Sequence, residues 1–241
     1  KRYFKGLMIL DSKSYKHLPN HVAFIMDGNR RWAKTKKLQI IEGHKKGSEV
    51  VKNIVKKSLK LNIRYLTFFS FSTENWNRSK SEIFKLQSLL KFYLETEKDI
   101  FVKEKIRFSF IGDIEKFDKT VRNDILNLKK ITSNYNKLYL TLALSYGSRN
   151  EILNAFKCIK KKKIKNVSEK DISNHLMTKG VPDPDFVIRT SGEKRLSNFL
   201  LWQIAYSEIF FEKKMWPQFN EKDFNKIIKK FKKIKRNFGS I

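Results

Sequence analysis

The stretch that decides the fold runs from residue 22 to residue 32 and reads Val22-Ala23-Phe24-Ile25-Met26-Asp27-Gly28-Asn29-Arg30-Arg31-Trp32. Its apolar half has the character of a buried strand, and it stops abruptly at an Asp-Gly-Asn turn followed by two arginines. Parallel α/β sheets bind ligands at the carboxyl ends of their strands. Asp27 is therefore placed to meet a metal or a proton, and Arg30 and Arg31 carry forked donors that suit phosphate oxygens. An ordinary strand-to-helix turn with solvated arginines would use the same residues, so both readings stay open at this point.

Working outward, five more strand-like runs recur along the chain. With the first, they are Val22–Met26, Tyr65–Phe71, Arg107–Ile111, Leu138–Leu144, Phe186–Ile188 and Ile209–Phe211. Stretches with helical apolar spacing lie between most of them, among them 47–62 and 79–104, with Ser79 or Ser81 as the predicted cap of the latter. This alternation predicts one α/β domain over residues 1–241, with an N-terminal extension at 1–18. Its core is a mostly parallel six-stranded sheet flanked by helices.

Composition limits the function classes. The formal net charge of +29 suits an anionic partner, although the lysines are spread along the chain as expected for solvated helix faces. The single Cys158 excludes an internal disulfide framework, and no apolar run approaches the roughly 18 residues needed to span a bilayer. There is no zinc-ligand spacing, Walker loop, complete Rossmann fingerprint or nucleophile elbow.

Polar clusters follow four of the predicted strands. After the first strand, the remaining three are Phe71-Ser72-Thr73-Glu74-Asn75-Trp76-Asn77-Arg78, Ser145-Tyr146-Gly147-Ser148-Arg149-Asn150 and Arg189-Thr190-Ser191-Gly192-Glu193-Lys194-Arg195-Leu196-Ser197. Three of the four ends bring arginine to one rim, where Asp27 and Glu208 are the carboxylates available for a divalent ion. Several arginines fit two substrates that carry several phosphates better than a single phosphate. His44 opens the next helix and could reach the same rim or serve as a core or capping residue. His17, His21 and His175 are expected to be structural.

These blocks resemble those of the cis-prenyltransferases, the family of undecaprenyl and dehydrodolichyl diphosphate synthases. The resemblance runs from about Pro19 to Gly239 and includes Gly43-His44 and the continuation Asn198-Phe199-Leu200-Leu201-Trp202-Gln203. It implies stepwise condensation of isopentenyl diphosphate onto an allylic diphosphate such as farnesyl diphosphate, with each new double bond cis. Arg30 and the Thr-Ser-Gly-Glu-x-Arg-Leu-Ser motif resemble the eukaryotic dehydrodolichyl branch more than the bacterial one. This resemblance implies a long polyprenyl product.

The resemblance also implies a role for each matching residue. Asp27 would assist Mg²⁺-dependent departure of the allylic diphosphate, with Glu208 near the metal, and Asn75 would take part in proton removal. The allylic diphosphate would be held by Gly28, Asn29, Arg30, Arg31, Arg78 and His44. Isopentenyl diphosphate would be held by Arg189, Arg195 and Ser197. The residues that would flank the substrates are Trp32, Ser72, Glu74 and Trp76. A hydrophobic product tunnel would lie between the apolar faces of 47–62 and 79–104, with Leu138, Leu140, Leu142 and Leu144 beneath.

Two departures from the family pattern bear on partners. Where many members place an arginine shortly before Gly43-His44, this chain has Ile40 and Ile41. Where many carry a C-terminal Arg-x-Gly that completes the partner's active site, this chain has Asn237-Phe238-Gly239 beside Arg236. Eukaryotic relatives can need an inactive accessory subunit for this element. We expect an active homodimer, since two-fold dimers are the commonest oligomers.

Two other function classes compete with this reading. One is a catalytically silent partner subunit, but such a subunit would not need the Asp27 and paired arginines that this chain retains. The other is a nucleic-acid-binding module, which is supported by the net charge alone. We therefore expect no nucleic-acid partner. The substrates and product imply contact with a membrane surface without spanning it. We expect a cytoplasmic protein, at the endoplasmic reticulum surface in a dehydrodolichyl-type enzyme. The missing initial Met leaves an organellar targeting segment open.

Overall fold

The computed structural model describes residues 18–235. The strands are β1 (His21–Ile25), β2 (Tyr65–Ser72), β3 (Ile106–Ile111), β4 (Leu138–Tyr146), β5 (Phe186–Arg189) and β6 (Glu208–Phe211). The helices are α1 (Asn29–Thr35), α2 (Ile40–Lys60), α3 (Lys80–Thr96), α4 (Lys98–Lys103), α5 (Lys119–Ile131), α6 (Ser148–Lys161), α7 (Glu169–His175) and α8 (Glu221–Phe231). Two 3-10 helices cover Thr73–Asn77 and Trp216–Gln218. His17, Arg236, the Asn237-Phe238-Gly239 triplet and nearly all of the proposed 1–18 extension lie outside the described residues.

All six strands of the described chain are parallel and form one sheet in the order β3-β4-β2-β1-β5-β6. The prediction of a single α/β domain built on a six-stranded sheet is confirmed, with strand bounds within two residues of those expected. A parallel sheet must be covered on both faces, and the buried side chains of β1 show this. Val22 and Phe24 enter one core cluster, whereas Ala23 and Ile25 enter a second cluster on the opposite face.

The helices differ from the prediction in their bounds. The helix expected over 47–62 begins at Ile40, and the helix expected over 79–104 is divided at Glu97, which ends α3 and precedes α4. Ser79 is the cap of α3, since its hydroxyl oxygen accepts a hydrogen bond from the Glu82 amide, and Ser81 lies inside the helix. None of the helices within residues 18–235 combines the length and the apolar character that crossing a bilayer would need.

The histidines expected to be structural are held by hydrogen bonds in the fold. The His21 ring contacts the Pro182 carbonyl oxygen at 2.6 Å and the Thr67 hydroxyl at 2.8 Å. Burial lowers the pKa of His21 to about 4, so this ring is neutral at pH 7. His175 contacts the Asp171 carbonyl oxygen at 2.7 Å in the last turn of α7. Neither ring is placed to take part in chemistry.

Candidate active site

The site lies where the strand order changes direction. After β1 the chain adds β2 on one side, and after β4 it adds β5 on the other, so β1 and β5 flank the switch point. Open α/β sheets form their ligand crevice at such a point, outside the carboxyl ends of the strands. Ile25 pairs in register with Arg189, the last residue of β5. Asp27 follows two residues later, and Arg189 Nη2 donates to Asp27 Oδ2 over 2.8 Å.

Arg189 is the buried anchor of the site. Its side chain is only 3% exposed, and its second terminal nitrogen donates to the Ser197 hydroxyl at 2.7 Å and to the Arg195 carbonyl oxygen. A buried guanidinium must be paired and hydrogen-bonded to offset its desolvation. Arg189 therefore fixes the Asp27 carboxylate and the loop that carries Arg195 and Ser197, and is itself screened from the crevice.

The turn after β1 is also fixed through its backbone. The Asp27 carbonyl oxygen accepts hydrogen bonds from the Trp216 amide at 2.9 Å and from the Thr190 hydroxyl at 2.7 Å. Gly28 has a φ of 107°, and an added Cβ would lie 2.8 Å from Met215 Cβ and 2.9 Å from Ser191 Oγ. Both the backbone angle and the close approach require glycine here. The next residues start α1 directly over the crevice.

Four arginines line the mouth of the crevice in two pairs, each held by one carboxylate. Glu82 lies 3.0 Å from Arg78 and 3.7 Å from Arg30, measured from carboxylate oxygen to guanidinium nitrogen. Glu193 bonds Arg31 at 3.1 Å and also bonds Arg195. The sequence-based site prediction did not include these two carboxylates. Two features of the sequence could have indicated them. Glu82 lies three residues after the capping Ser79, and Glu193 lies in a Gly-Glu-x-Arg motif.

His44 lies beside the Arg30–Arg78 pair, at the rim rather than in the core. Burial, followed by the positive charges of Arg78 and Arg30, lowers the pKa of His44 to about 4, so the ring is neutral at pH 7. Its Nε2 is buried and has no hydrogen-bond partner within residues 18–235. Asn29 is similar: its amide nitrogen donates to the Met26 carbonyl oxygen at 3.2 Å, while its buried Oδ1 has no partner among those residues. Both side chains line the cavity described below.

The segment after β2 is organised by its own hydrogen bonds. The Ser72 amide donates to Asn75 Oδ1 at 3.1 Å, and Trp76 Nε1 donates to the Ser145 hydroxyl at 2.9 Å. Burial opposes ionisation of Glu74, but hydrogen bonds from its own amide and from the side chains of Ser72, Asn198 and Thr73 outweigh it and lower its pKa. The four residues expected to flank the substrates all lie outside the cavity lining; they are Trp32, Ser72, Glu74 and Trp76. Asn75, expected to take part in proton removal, and Arg78, expected to bind the allylic diphosphate, are in the lining.

One cavity of about 660 Å³ joins these charges to an apolar interior. A volume of this size is typical of sites that enclose most of a ligand. Its polar end includes Asp27, the four paired arginines and Asn75. Its apolar walls come from α2, α3 and β4 and include Val51, Val55, Leu59, Leu86, Leu90, Leu94, Leu140, Leu142 and Leu144. The structure therefore contains the cavity predicted between these elements, although Leu138 is fully buried outside its lining.

The comparisons with known proteins agree with this geometry. The family described as putative undecaprenyl diphosphate synthase matches residues 25–239. The chain belongs to the cis-prenyltransferase family. Isoprenyl transferases of Aquifex pyrophilus and Thermotoga maritima are 44% and 45% identical to it, with 93% of this chain covered in each case and 97% and 98% of theirs.

Lavandulyl diphosphate synthase from Lavandula x intermedia, solved with dimethylallyl diphosphate, is 33% identical with a TM-score of 0.89 over 92% of this chain and 99% of that one. A probable undecaprenyl diphosphate synthase from Campylobacter jejuni is 34% identical, with a TM-score of 0.79 over 93% of this chain and 100% of that one.

This cis-prenyltransferase is thus an enzyme that condenses isopentenyl diphosphate onto an allylic diphosphate, a reaction for which the family implies a divalent metal. Within one subunit the structure does not bring the two predicted metal ligands, Asp27 and Glu208, together. Glu208 pairs with Phe186 at the amino-terminal end of the sheet, three residues or roughly 10 Å along the strand from the level of Arg189. Strand direction therefore separates it from Asp27, and residues 18–235 contain no cluster of three potential metal ligands. Asp27 alone still fits Mg²⁺, because Mg²⁺ is commonly bound by one or two carboxylates together with substrate phosphates and waters.

Proposed function

We propose that this cis-prenyltransferase extends farnesyl diphosphate with successive isopentenyl units to a long-chain polyprenyl diphosphate. The observation that carries the proposal is one continuous cavity with a cationic mouth and an apolar interior. The mouth suits two diphosphate groups, and the interior suits a hydrocarbon tail that lengthens away from the reacting carbons. Both features are needed for repeated condensation on one protein.

The allylic diphosphate is assigned to the α1 side of the mouth. Arg30, Arg31 and Arg78 would bind its oxygens with forked donors, and the turn at Gly28 and Asn29 lets the backbone approach it closely. Neutral His44 can donate a hydrogen bond there without adding charge. Arg30 stands beside His44 and Glu82, where it can supply the cation that many relatives place near Ile40.

The isopentenyl diphosphate is assigned to the loop after β5. Arg195 lines the cavity and can turn to a phosphate, while Arg189 and the Ser197 hydroxyl hold the loop and the adjoining Asp27 in position. Asp27 would hold Mg²⁺ together with substrate phosphates. When bound, the metal would supply charge neutralisation for the departing diphosphate. The fixed guanidinium groups stabilise the same developing charge without having to reorganise.

Condensation also requires that a proton leave the newly joined carbons. The Asn75 side chain lines the cavity, yet its Oδ1 accepts from the Ser72 amide, and a neutral amide is a poor proton acceptor. We assign to Asn75 the orientation of the reacting carbons, and the departing diphosphate, which the reaction itself supplies, would accept the proton. Ser72, Glu74 and Trp76 would support the segment after β2 through their contacts with Asn75, Asn198 and Phe117, and Trp32 on α1 is assigned to the flank of the substrates.

The product is proposed to be long, and a dehydrodolichyl-type product is the finer proposal. Arg30 and the Thr-Ser-Gly-Glu-x-Arg-Leu-Ser motif support a dehydrodolichyl-type product. The isoprenyl transferases compared above are bacterial, which makes an undecaprenyl-type product the alternative. Product chain length decides between them, since the two types differ in the number of isoprene units.

We also propose a homodimer that works at a membrane surface on the cytoplasmic side. The edge strand β6 exposes Ile209 and Phe211, an apolar edge of the kind that oligomers cover, and Phe156 on α6 is exposed as well. On α3, Phe84 is 65% exposed and Phe92 is 54% exposed, on the side opposite the cavity. Exposed aromatic residues on a strongly basic protein suit an anionic lipid surface.

The test gives the purified chain farnesyl diphosphate, labelled isopentenyl diphosphate and Mg²⁺. We expect label in the organic phase that migrates as a long polyprenyl species after dephosphorylation. No product from the chain alone, but product after addition of a related subunit, would replace the homodimer with an accessory-subunit enzyme. Products of only one or two added units would refute the long-chain proposal.

A further inference from the structure

The charged groups at the mouth form one connected chain across both diphosphate positions. Arg195 bonds Glu193, Glu193 bonds Arg31 at 3.1 Å, and Arg31 lies 3.5 Å from Asp27. Asp27 is in turn held by Arg189, which returns to the Arg195 carbonyl oxygen. Glu193 is the member that connects the two positions directly, with one carboxylate oxygen bound to each arginine.

We propose that Glu193 is a positioning residue that couples the binding of the two substrates. In the free protein its carboxylate occupies Arg31 and Arg195 together, where it takes the place of a phosphate. A diphosphate that reaches either arginine repels this carboxylate and displaces it from both. The first substrate therefore bears the whole cost of breaking the two ion pairs, and the second finds its arginine free. This inference rests on the proposed assignment of Arg31 to the allylic and Arg195 to the isopentenyl position.

The surroundings of Glu193 permit such a displacement. Its side chain is 30% exposed, so it can turn outward into water, whereas Arg189 behind it is buried and fixed. The preceding Gly192 has a φ of 78°, and an added Cβ there would meet no atom within 4 Å. The loop is therefore open at the residue that precedes Glu193. Asp27 is not displaced in this way. The buried Arg189 still binds the Asp27 carboxylate after a phosphate has bound Arg31.

Reciprocity makes the proposal measurable. If the allylic ligand strengthens isopentenyl diphosphate binding by some factor, isopentenyl diphosphate must strengthen allylic binding by the same factor. For partly exposed ion pairs we expect about tenfold, within the roughly five- to 150-fold range of coupled sites. Each affinity is measured by titration calorimetry with Mg²⁺, with and without saturating amounts of the other ligand. The allylic ligand is farnesyl thiodiphosphate, whose slow ionisation prevents turnover.

The decisive variant is Glu193→Gln, which keeps the shape of the side chain and removes its charge. We expect isopentenyl diphosphate to bind the free variant more tightly than the free wild type, and the coupling factor to fall below about twofold. Glu212→Gln is the matched control, because Glu212 lies on the neighbouring loop, where its backbone oxygen bonds Gly192, and has no ion pair to the arginines within residues 18–235. It should retain the wild-type factor, and circular dichroism should show that both variants are folded at the temperature of the titration.

Three results would overturn the proposal. The wild type would show no coupling, Glu193→Gln would keep the full factor, or the variant would bind isopentenyl diphosphate more weakly in every state, as a direct ligand would. If neither ligand bound to the wild type, the proposed function itself would fail, which is a different outcome from binding without coupling.

Discussion

Replacing Gly43 with alanine should displace α1 from α2 and damage the proposed allylic diphosphate site. Gly43 lies in the first turn of α2, and a Cβ there would be 2.1 Å from the Asn29 carbonyl oxygen and 3.2 Å from Ala33 Cβ. A carbon and an oxygen in weak contact are roughly 3.3 Å apart, so the helices must separate by about 1.2 Å at this point. The obstructing atom belongs to the backbone of the turn that carries Arg30 and Arg31, so rotation of a side chain cannot relieve the clash.

The expected size follows from this displacement. A shift of about 1 Å in a positioning group can cost roughly 100-fold in rate, so kcat/KM for the allylic substrate should fall by about that factor. Overpacking costs about 1–3 kcal/mol, which corresponds to a Tm lower by roughly 2–12 °C in a domain of this size. Initial rates are measured with labelled isopentenyl diphosphate over a range of allylic diphosphate concentrations, at a temperature well below both midpoints.

Gly180→Ala is the control that separates destabilisation from displacement. Its Cβ would meet nothing within 4 Å, and only its φ of 81° opposes the substitution. It should lower the Tm, since a left-handed residue costs about 1–2 kcal/mol, and leave kcat/KM within about twofold of the wild type. A Gly43→Ala enzyme with kcat/KM within threefold of the wild type would refute the reasoning, because α1 would then have room that the structure does not show.

Three further predictions concern single side chains. Asp27→Asn should lower kcat at least about 100-fold with little change in the Kd of isopentenyl diphosphate, and equal losses of both would contradict a role in diphosphate departure. Arg195→Ala should raise the KM for isopentenyl diphosphate by about tenfold or more, the cost of a charge-assisted hydrogen bond, and an unchanged KM would remove it from that site. For pH, the pKa of His21 falls from 6.5 to about 4 on folding, so the unfolded chain binds the proton more readily. Stability should be full above about pH 6.5 and lower by about 2 kcal/mol at pH 5, which urea unfolding at both pH values would show, with a smaller loss in His21→Gln.

The sheet could be predicted from sequence because its signals are local. Each strand is a short apolar run, and the alternation with helical spacing is sufficient to choose a parallel sheet. The end of β1 shortly before Asp27 was visible for the same reason. The division of the long helix at Glu97 was not, because the apolar spacing continues through it from Leu94 to Phe101.

The site could be predicted only in part, because it depends on pairings between distant segments. Which residues gather at the rim followed from the strand ends, but the pairing of Asp27 with Arg189 and of Arg31 with Glu193 did not. The separation of Glu208 from Asp27 has a specific cause. Its strand was recognised, yet Glu208 is the first residue of that strand, and only the register against Phe186 shows that it lies at the opposite end of the strands within one subunit.

The distribution of charge explains how a site with few carboxylates can handle two diphosphates. Enzymes that bind diphosphate through several metal ions need a cluster of carboxylates, whereas the described residues here offer Asp27 and a set of arginines. Such a set would repel itself if left bare in a partly buried cleft. Glu82 and Glu193 each form ion pairs with two arginines in the free protein, and both lie at the proposed diphosphate positions. The same internal anions that keep the empty mouth stable must therefore compete with the substrates, so their removal should tighten ground-state binding while lowering the stability of the unliganded enzyme.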